Sequence, residues 1–484
     1  MGKPQRIRDP LHNLIEFDTS EFEKVMWNVL QTRPFQRLRR VKQLGFSDLV
    51  YPGATHSRFA HSVGVFHLAR QLMKIIQRHL GSDFEQTKAQ TALAAALVHD
   101  LGHGPFSHSF EDVGRRLNLK LANHELVSEL LIKDGEVGET LKTLGSGFAN
   151  DVSSVIKSRG VWSIYNAVVS SQFDADRLDY MQRDKLMTGT QHGAIDFKWL
   201  IGNLQVGKVP YGVDEKSLTE LDTFVLGPKA IYAAEAYILG LFQLYPTVYF
   251  HKATRGAEKI FTELMVRVIK LVQEDHVAKT GIAKGHPIER FATDPDKLEH
   301  VLELDDSVIL GALSQFASAK DPVISKLASR LRDRQLYKSQ NLREQIGHKL
   351  ATISSVEDGE FTQLIDAGCV KIKERILEWK EQKENNEARI LYDQEERAPY
   401  KKFQESKGPL NQVRIKTTNG ELVDLVARSK VVRAIEPFKL FRVYHEESDE
   451  EVVKFIKDEI GRVCDELSKK GKSRSVKAKK RTKK

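Results

Sequence analysis

The chain has little cysteine and no long hydrophobic run. Its 484 residues include two cysteines, Cys369 and Cys464, which exclude a disulfide framework and provide no CxxC pair for zinc. The longest apolar stretches, such as 92–98, are far shorter than the roughly 18 residues of a membrane span. The first residues contain no apolar signal segment. We therefore expect a cytoplasmic protein with no membrane partner.

The excess of positive charge is confined to one end of the chain. The formal net charge is +9, and residues 469–484 hold ten Lys or Arg and no Asp or Glu. Removing these ten charges leaves −1, so the remainder gives no electrostatic argument for binding nucleic acid. The end segment has almost no apolar side chains, which predicts a disordered tail. Two interpretations of the tail stay open: nonspecific nucleic-acid binding, and a solvated end without a partner.

Hydrophobic spacing predicts that most of the first 270 residues are helical. Strand signals are sparse until residue 411, where alternating segments flank Asn419 and Gly420 and predict a β-hairpin. Residues 439–444 predict another strand, and the charged segment 374–396 predicts an exposed helix that leads into a linker. The predicted fold class is mostly α, with a C-terminal α+β region and the disordered basic tail.

Histidine and carboxylate residues are concentrated in four separated stretches. These are HSRFAHS at 56–62, HDLGHGPFSH at 99–108, HE at 124–125 and FDADRLDYMQRD at 173–184. The adjacent His99 and Asp100 end an apolar helical segment, where charged groups are rare without a partner. Imidazole and carboxylate together suit Mn, Fe, Zn or Mg rather than a thiolate zinc site.

Helical spacing adds two groupings to these stretches. His103 follows His99 by one turn, so the two side chains project from nearly the same face. Asp176, Tyr180 and Asp184 share the i, i+4, i+8 stripe of a helix. Such a stripe presents one carboxylate to a metal and the next two groups to a ligand.

Some of these residues also have an ordinary structural explanation. A single His–Asp pair occurs by chance in many proteins. Asp179 and Arg183 have the i, i+4 spacing of a helical ion pair, and we interpret them as structural. His12 and His56 are expected to support loops or neighbouring groups rather than to bind a metal.

Taken in order, the motifs HxRFxHSxGV, HDLGHGPFSH and DxDRLDYxxRD resemble those of the HD-domain phosphohydrolases. They are most similar to the branch of deoxynucleoside triphosphate triphosphohydrolases that includes the animal SAM-and-HD-domain enzyme and bacterial dGTPase-like proteins. DPLHNLIEFD and PFQRLRRVKQLGF, near the start, fit the same branch. The resemblance extends over residues 5–260 and implies an HD-domain helical core within 1–300. We assign 301–400 to a helical region, 401–467 to a small mixed region with the β-hairpin, and 468–484 to the tail.

The resemblance implies a divalent metal ion (Mn, Fe, Mg, Zn or Co) and three sets of site residues. The implied metal ligands are His61, His99, Asp100 and Asp176. The implied catalytic residues are His103, His108, Glu111 and His124. The residues implied in substrate binding are Gln43, Leu44, Arg58, Arg177, Tyr180, Asp184 and His251.

Each set has a role in the resemblance. His108 resembles the general acid, Glu111 would orient a histidine through its second nitrogen, and the other two catalytic histidines would face the phosphates. The two arginines would hold phosphate oxygens. Gln43 and Asp184 would contact the sugar 3′-hydroxyl. Leu44 and Tyr180 would pack on the sugar and exclude a 2′-hydroxyl. His251 would line the base side.

These implications predict metal-dependent hydrolysis of deoxynucleoside triphosphates to a deoxynucleoside and inorganic triphosphate. Two alternatives stay open: an HD-type phosphodiesterase or nuclease acting on nucleic acid or another nucleotide, and a nucleotide-sensing scaffold with a silent site. A nucleotide activator and a homo-oligomer (dimer, tetramer or hexamer) are also implied. Regulated animal relatives read guanine with an aspartate where this chain has Gln31, so we expect regulation without strict dependence on GTP.

Overall fold

The computed structural model describes residues 3–157, 162–191, 195–211, 219–353, 358–382, 388–400 and 412–481. Helices account for most of these residues, and the strands form small sheets, so the predicted mostly α fold class is confirmed. Within the described ranges, every helix is too short or too polar to span a lipid bilayer.

The helices of the first half of the chain surround the motifs found in the sequence. They are α1 (Glu21–Gln31), α2 (Arg33–Arg37), α3 (Arg58–Leu80), α4 (Gln86–Val98), α5 (His108–Leu117), α6 (His124–Lys133), α7 (Gly135–Lys142), α8 (Phe148–Ile156), α9 (Ala175–Thr188), α10 (Phe197–Gly202), α11 (Ile231–Leu244) and α12 (Lys252–Gln273). The later helices are α13 (Pro287–Thr293), α14 (Leu298–Leu302), α15 (Asp306–Ala317), α16 (Pro322–Arg332), α17 (Leu342–Ile353), α18 (Asp358–Gln382), α19 (Leu425–Arg428), α20 (Lys430–Ala434) and α21 (Glu450–Arg481).

Nine strands in the described ranges form three sheets. They are β1 (Gln5–Asp9), β2 (Asn13–Phe17), β3 (Leu204–Tyr211), β4 (Thr219–Leu226), β5 (Lys338–Asn341), β6 (Leu391–Arg397), β7 (Arg414–Lys416), β8 (Leu422–Asp424) and β9 (Phe438–His445). The sheet orders are β1-β2, β3-β4-β7-β8 and β5-β9-β6. All neighbouring strands are antiparallel except β4 and β7, which are parallel.

Helices α3 and α4 lie at the centre of the larger hydrophobic core. Both are buried around most of their circumference, and α4 consists mainly of alanine and leucine, as expected for helices enclosed by others. Helix α3 packs against α4 on one side and against α9 on another. This packing brings the N-terminal turns of α3 and α9 close to the C-terminal end of α4, and these three ends carry the predicted metal ligands.

A second, smaller core lies towards the C-terminal part of the chain. It is formed by α17, α18 and α21 against the sheet β5-β9-β6, and includes Ile346, Ile372, Phe441, Val443 and Ile460. The larger core instead takes in α13 to α16 and the sheet β3-β4-β7-β8. The domain boundaries expected at 300, 400 and 467 stay predictions.

The strand predictions were correct in part. Around Asn419 and Gly420, β7 pairs with β8 as predicted, and Gly420 has the positive φ of +89° that such a turn favours. The strand expected at 439–444 is β9. The hairpins β1-β2 and β3-β4 were missed; in β1, one apolar residue among polar ones produces no clear alternation.

The exposed helix and linker predicted over 374–396 were wrong in their second half. Helix α18 ends at Gln382, and β6 begins at Leu391. The strand β6 was missed because its sequence is acidic, and acidic residues are typical of exposed segments. Its Asp393 is nevertheless buried, where it accepts a 2.8 Å hydrogen bond from Nε of the distant Arg255. Helix α21 continues to Arg481, into the segment for which the sequence predicts a disordered tail, and residues 482–484 lie outside the described residues.

Candidate metal centre and active site

The four predicted metal ligands come from three helix ends. His61 lies in the first turn of α3, which begins where Ser57 accepts a hydrogen bond from the Ala60 amide. His99 and Asp100 directly follow α4, and Asp176 lies in the first turn of α9. A carboxylate at a helix N-terminus is favoured by the helix dipole.

The ligand atoms converge on one point. Nε2 of His61 lies 3.0 Å from Oδ1 of Asp176, and Nε2 of His99 lies 3.7 Å from the same oxygen. The three atoms all fall within 4.8 Å of one another. Asp100 completes the set, with Oδ1 3.5 Å from Nε2 of His99 and Oδ2 3.9 Å from Nε2 of His61. The structure thus brings together all four residues that the sequence analysis selected.

The chemistry of these groups fits a divalent cation. The His99 ring donates from Nδ1 to the carbonyl of Ala96 at 3.0 Å, which leaves the lone pair on Nε2. That nitrogen is buried and has no hydrogen-bond partner among the described residues. Burial opposes protonation of His61, yet contacts with Asp176 and Asp179 raise its pKa to about 10, so the site favours positive charge. Two imidazoles with two carboxylates are a donor set for Mn, Fe, Zn, Mg or Co.

Arg58 supplies positive charge next to Asp100. Its guanidinium donates from Nη1 to Oδ2 of Asp100 and from Nε to Oγ of Ser107 at 2.8 Å. Burial alone would raise the pKa of Asp100, but Arg58 and the adjacent imidazoles hold it well below its usual value. The predicted phosphate-binding Arg58 is therefore buried beside a metal ligand.

A cavity of about 570 Å³ opens beside the predicted metal ligands. One part of its wall is formed by His99, Asp100, His124 and Asp176, and the other by Glu125, Lys157 and apolar residues of α8 and the following segment. The Asp176 side chain is 40% exposed, so the ligand cluster is accessible from this cavity.

The predicted catalytic residues form a second cluster next to the first. Glu111 accepts from Nδ1 of His108 at 2.9 Å through one oxygen and from Nδ1 of His124 through the other. The ring of His103 stacks on that of His124, with centroids 3.9 Å apart, and its Nε2 lies 3.3 Å from Asp100. His103 therefore connects the two clusters.

Glu111 orients two histidines, whereas the sequence analysis expected one. Because both Nδ1 atoms face its carboxylate, the Nε2 atoms of His108 and His124 are left for other partners. Burial alone would raise the pKa of Glu111, but the two imidazoles lower it below its usual value. The His108 side chain is 73% exposed, as a group that meets a substrate must be.

The turn that carries His99 to His108 is held by residues that the sequence analysis did not select. The buried Arg37 donates to the carbonyls of Leu101 at 3.2 Å and His103 at 2.7 Å. Ser128 of α6 accepts from the Gly102 amide at 2.9 Å. Only a glycine fits there, since a Cβ on Gly102 would lie 2.2 Å from the His124 carbonyl oxygen.

The end of the same turn has a strained backbone. Phe106 and Ser107 have positive φ angles of 51° and 55°, which are unfavourable for residues other than glycine. Asp306 at the start of α15 stabilises this conformation by accepting from the Phe106 amide at 2.8 Å and from the Lys42 amide at 2.9 Å. No motif in the sequence pointed to this role.

Two of the predicted sugar-binding residues, Tyr180 and Asp184, lie on α9. Asp184 is buried and accepts from Nε2 of His56 at 2.9 Å and from the Tyr249 hydroxyl at 2.8 Å. Tyr180 lies edge-on to Tyr249, with ring centroids 6.4 Å apart. Oε1 of Gln43 is buried without a hydrogen-bond partner in the described part of the chain.

The other predicted substrate residues are placed less centrally. Leu44 is half-buried at the edge of the larger core. Arg177 donates to the carbonyl of Ser171 at 2.9 Å, and a third of its side chain is exposed. His251 caps α12 through its Nδ1 and lies edge-on to Tyr51.

The sequence matches the family described as HD domain over residues 58–182 and the one described as HD associated region over 213–285. The protein YwfO of Bacillus subtilis (strain 168) is 33% identical over 339 residues, which cover 70% of this chain and 72% of YwfO. The chain belongs to the HD-domain phosphohydrolase family. All four predicted metal ligands lie inside the HD domain match.

Further proteins of known name or structure are similar to much of this chain. The mouse protein named deoxynucleoside triphosphate triphosphohydrolase SAMHD1 is 29% identical over 369 residues, covering 68% of this chain and 53% of the mouse protein. The structure of a phosphohydrolase from Bacteroides thetaiotaomicron VPI-5482 aligns with a TM-score of 0.68 at 24% identity, over 92% of this chain and 100% of that one. A hypothetical protein from Aquifex aeolicus gives a TM-score of 0.65 at 23% identity, over 94% and 100%. These two similarities concern the fold.

Proposed function

We propose that this phosphohydrolase acts on deoxynucleoside triphosphates in a metal-dependent reaction that releases a deoxynucleoside and inorganic triphosphate. The observation that carries the proposal is the contact between the two clusters, since His103 touches both Asp100 and His124. Such an arrangement suits a reaction that needs a metal on one side of a phosphate and a proton donor on the other. The name of the mouse relative supports the choice of substrate.

His61, His99, Asp100 and Asp176 would hold a divalent cation, which would supply a Lewis acid that lowers the pKa of a water and neutralises charge on a phosphate oxygen. The remaining steps belong to the side chains of the protein. Arg58 provides a fixed positive charge for the phosphate that undergoes attack, and His103 and His124 contact the phosphate oxygens. His108, oriented by Glu111, donates a proton from Nε2 to the departing 5′ oxygen of the nucleoside.

Selection of a deoxynucleotide is assigned to two residues of α9 and to two residues of the segment between α2 and α3. Leu44 and Tyr180 pack on the sugar and leave no space for a 2′-hydroxyl, and Gln43 and Asp184 bind the 3′-hydroxyl. The hydrogen bonds that Asp184 accepts from His56 and Tyr249 hold its carboxylate in one orientation. Arg177 is assigned to the triphosphate and His251 to the base side.

A nucleotide panel tests the proposed function. Metal-free protein is loaded with Mn, Mg, Fe, Co or Zn and incubated with each dNTP and rNTP, with cyclic dinucleotides and with single-stranded oligonucleotides. We expect triphosphate from dNTPs, with much slower release from rNTPs. Asp100→Ala prepared in parallel excludes a contaminating enzyme. Release of pyrophosphate or orthophosphate, or cleavage confined to the cyclic or polymeric substrates, would instead support the phosphodiesterase or nuclease alternative.

The same proposal extends to assembly and regulation. We propose a homo-oligomer whose formation is favoured by bound nucleotides, as the resemblance implies. Mass measurement of single particles with and without dNTPs and GTP tests this. A monomer that retains full turnover at the same concentration would contradict it.

A further inference from the structure

Asp179 is a fully buried carboxylate beside the metal ligands. Both of its oxygens are saturated: Oδ2 accepts from Nδ1 of His61 at 2.8 Å and from Nε of Arg183 at 2.7 Å. Oδ1 accepts from Nε2 of His12 at 2.7 Å and from Nη2 of Arg183 at 3.0 Å. The four donors fill the acceptor positions of a carboxylate, and the side chain has no exposed surface.

The bond from His61 to Asp179 determines which nitrogen of His61 is available. With a metal bound, the proton that Asp179 holds on Nδ1 would leave the lone pair of His61 on Nε2, the atom that lies 3.0 Å from Asp176 in the ligand cluster. Carboxylates that hold a ligating imidazole in this way fix its ring orientation and increase its basicity. An ion pair made only with Arg183 would not require Asp179 to face His61.

Asp179 is in turn held by the N-terminal hairpin β1-β2. Arg183 donates from Nη1 to Oδ2 of Asp9 at 2.7 Å. Asp9 accepts the amides of Leu11 and His12 at 2.9 Å each, which shapes the turn of the hairpin and sets the position of the His12 ring. The hairpin therefore contacts Asp179 twice, directly through His12 and indirectly through Asp9 and Arg183.

The sequence of α3 leaves room for this arrangement. A Cβ placed on Gly64 would lie 2.1 Å from Oδ1 of Asp179 and 2.3 Å from Nη2 of Arg183. The glycine of the HSxGV motif is thus the point where α9 approaches α3 closely enough for Asp179 to reach His61. Overlap of this size displaces the pair.

We propose that Asp179 is a positioning residue for the metal ligand His61, and that the N-terminal hairpin belongs to the metal site through His12 and Asp9. The inference rests on the proposed metal-dependent function. It assigns a role in metal affinity to residues 9 and 12, which precede the HD domain match at 58–182.

The test measures metal affinity rather than turnover. Mn²⁺ is titrated into metal-free full-length protein, free Mn²⁺ is followed by electron paramagnetic resonance, and the rise in Tm at saturating Mn²⁺ is recorded for each variant. The variants are Asp179→Asn and His12→Gln. The matched control is Asp321→Asn, because Asp321 is also a buried aspartate that pairs with an arginine, Arg267, but it caps the N-terminus of α16 away from the ligands.

We expect Asp179→Asn to weaken Mn²⁺ binding by roughly 10- to 100-fold and His12→Gln to weaken it by a smaller factor. The Mn²⁺-induced rise in Tm should shrink in both, because stabilisation by a ligand depends on its affinity. Asp321→Asn should lower Tm with and without Mn²⁺ equally and leave the affinity unchanged.

Three results would overturn the inference in distinguishable ways. Wild-type protein that binds no divalent metal would refute both this inference and the proposed function. Metal-binding wild type with an unchanged affinity in Asp179→Asn would refute the inference alone. If Asp179→Asn does not fold, an unchanged affinity in His12→Gln has the same consequence.

Discussion

Replacing Glu111 by Gln separates proton donation from metal binding. The carboxylate accepts N–H groups from two imidazoles, at 2.9 Å for Nδ1 of His108 and in a shorter contact for His124. A glutamine has one oxygen that can accept and one nitrogen that cannot. One imidazole therefore loses its partner, and neither faces a negative charge. None of the four metal ligands is altered.

The size of the effect follows from the lost interaction. The hydrogen bond from His108 to the charged carboxylate of Glu111 contributes about 1.5–3 kcal/mol. Since about 1.4 kcal/mol corresponds to tenfold in rate, kcat should fall roughly 10- to 140-fold. The KM for the nucleotide and the affinity for Mn²⁺ should change little.

The assay compares triphosphate release by Glu111→Gln and by Asp112→Asn. Asp112 is the adjacent carboxylate of α5 and accepts from Arg115 at 2.7 Å and Lys259 at 2.8 Å, on a different face of the helix. Its loss removes a comparable ion pair without touching either histidine, so kcat should remain near that of the wild type.

A substrate with a good leaving group provides the decisive comparison. An aryl phosphate ester needs little help from a general acid, so Glu111→Gln should be much less impaired on it than on a dNTP. Equal impairment on both substrates, or equal kcat loss in Asp112→Asn, would refute the assignment of Glu111 and His108 to proton donation.

Four further predictions concern other parts of the molecule. His99→Ala should abolish hydrolysis while the circular dichroism spectrum stays unchanged, because removal of one ligand from an open four-ligand site removes most of its metal affinity. A variant that binds no metal but turns over substrate nearly as fast as the wild type would exclude the proposed centre. Gly64→Ala should lower the free energy of unfolding by at least about 1–3 kcal/mol in urea titrations and weaken Mn²⁺ binding, because its Cβ would lie 2.1 Å from Asp179. Since Gln31 cannot accept two guanine N–H groups as an aspartate does, several nucleotides should activate the enzyme, and activation by guanine nucleotides alone would contradict this. Truncation after Leu467 removes the ten positive charges of the tail. Most salt-dependent binding of nucleic acid in gel-shift titrations should then disappear, while dNTP hydrolysis continues. If the truncated protein keeps its affinity and salt dependence, the binding surface lies elsewhere.

The predicted metal ligands were selected because their motifs resemble those of the HD-domain phosphohydrolases. Imidazole and carboxylate suit a divalent cation, but an adjacent pair such as His99 and Asp100 also occurs by chance in many proteins. The helical spacing of α9 placed Asp176, Tyr180 and Asp184 along one stripe. The stripe uses local sequence only, whereas the ligand set rests on motifs from separate parts of the chain.

The supporting residues were not predictable, because their partners are backbone groups or distant side chains. Arg37 binds the carbonyls of Leu101 and His103, and an arginine that does so is indistinguishable in sequence from a surface arginine. Asp306 likewise has the local pattern of a residue near a helix start, and its bond to the Phe106 amide joins positions 200 residues apart. Asp179 was interpreted as half of an ion pair, which the structure confirms, but its second contact with His61 depends on the packing of α9 on α3.

These distant contacts also determine how much of the chain the site requires. The HD domain match covers 58–182, and an isolated segment with those bounds would retain the four ligands. It would lose Arg37 and Asp306, and backbone groups of the buried turn would then have no hydrogen-bond partner. Each such group lowers the free energy of unfolding by about 1–3 kcal/mol. It would also lose Asp9, His12 and Arg183, and with them every support of the Asp179 carboxylate described above other than His61 itself. The shortest segment that keeps the hydrogen bonds of the site therefore extends from Asp9 to Asp306.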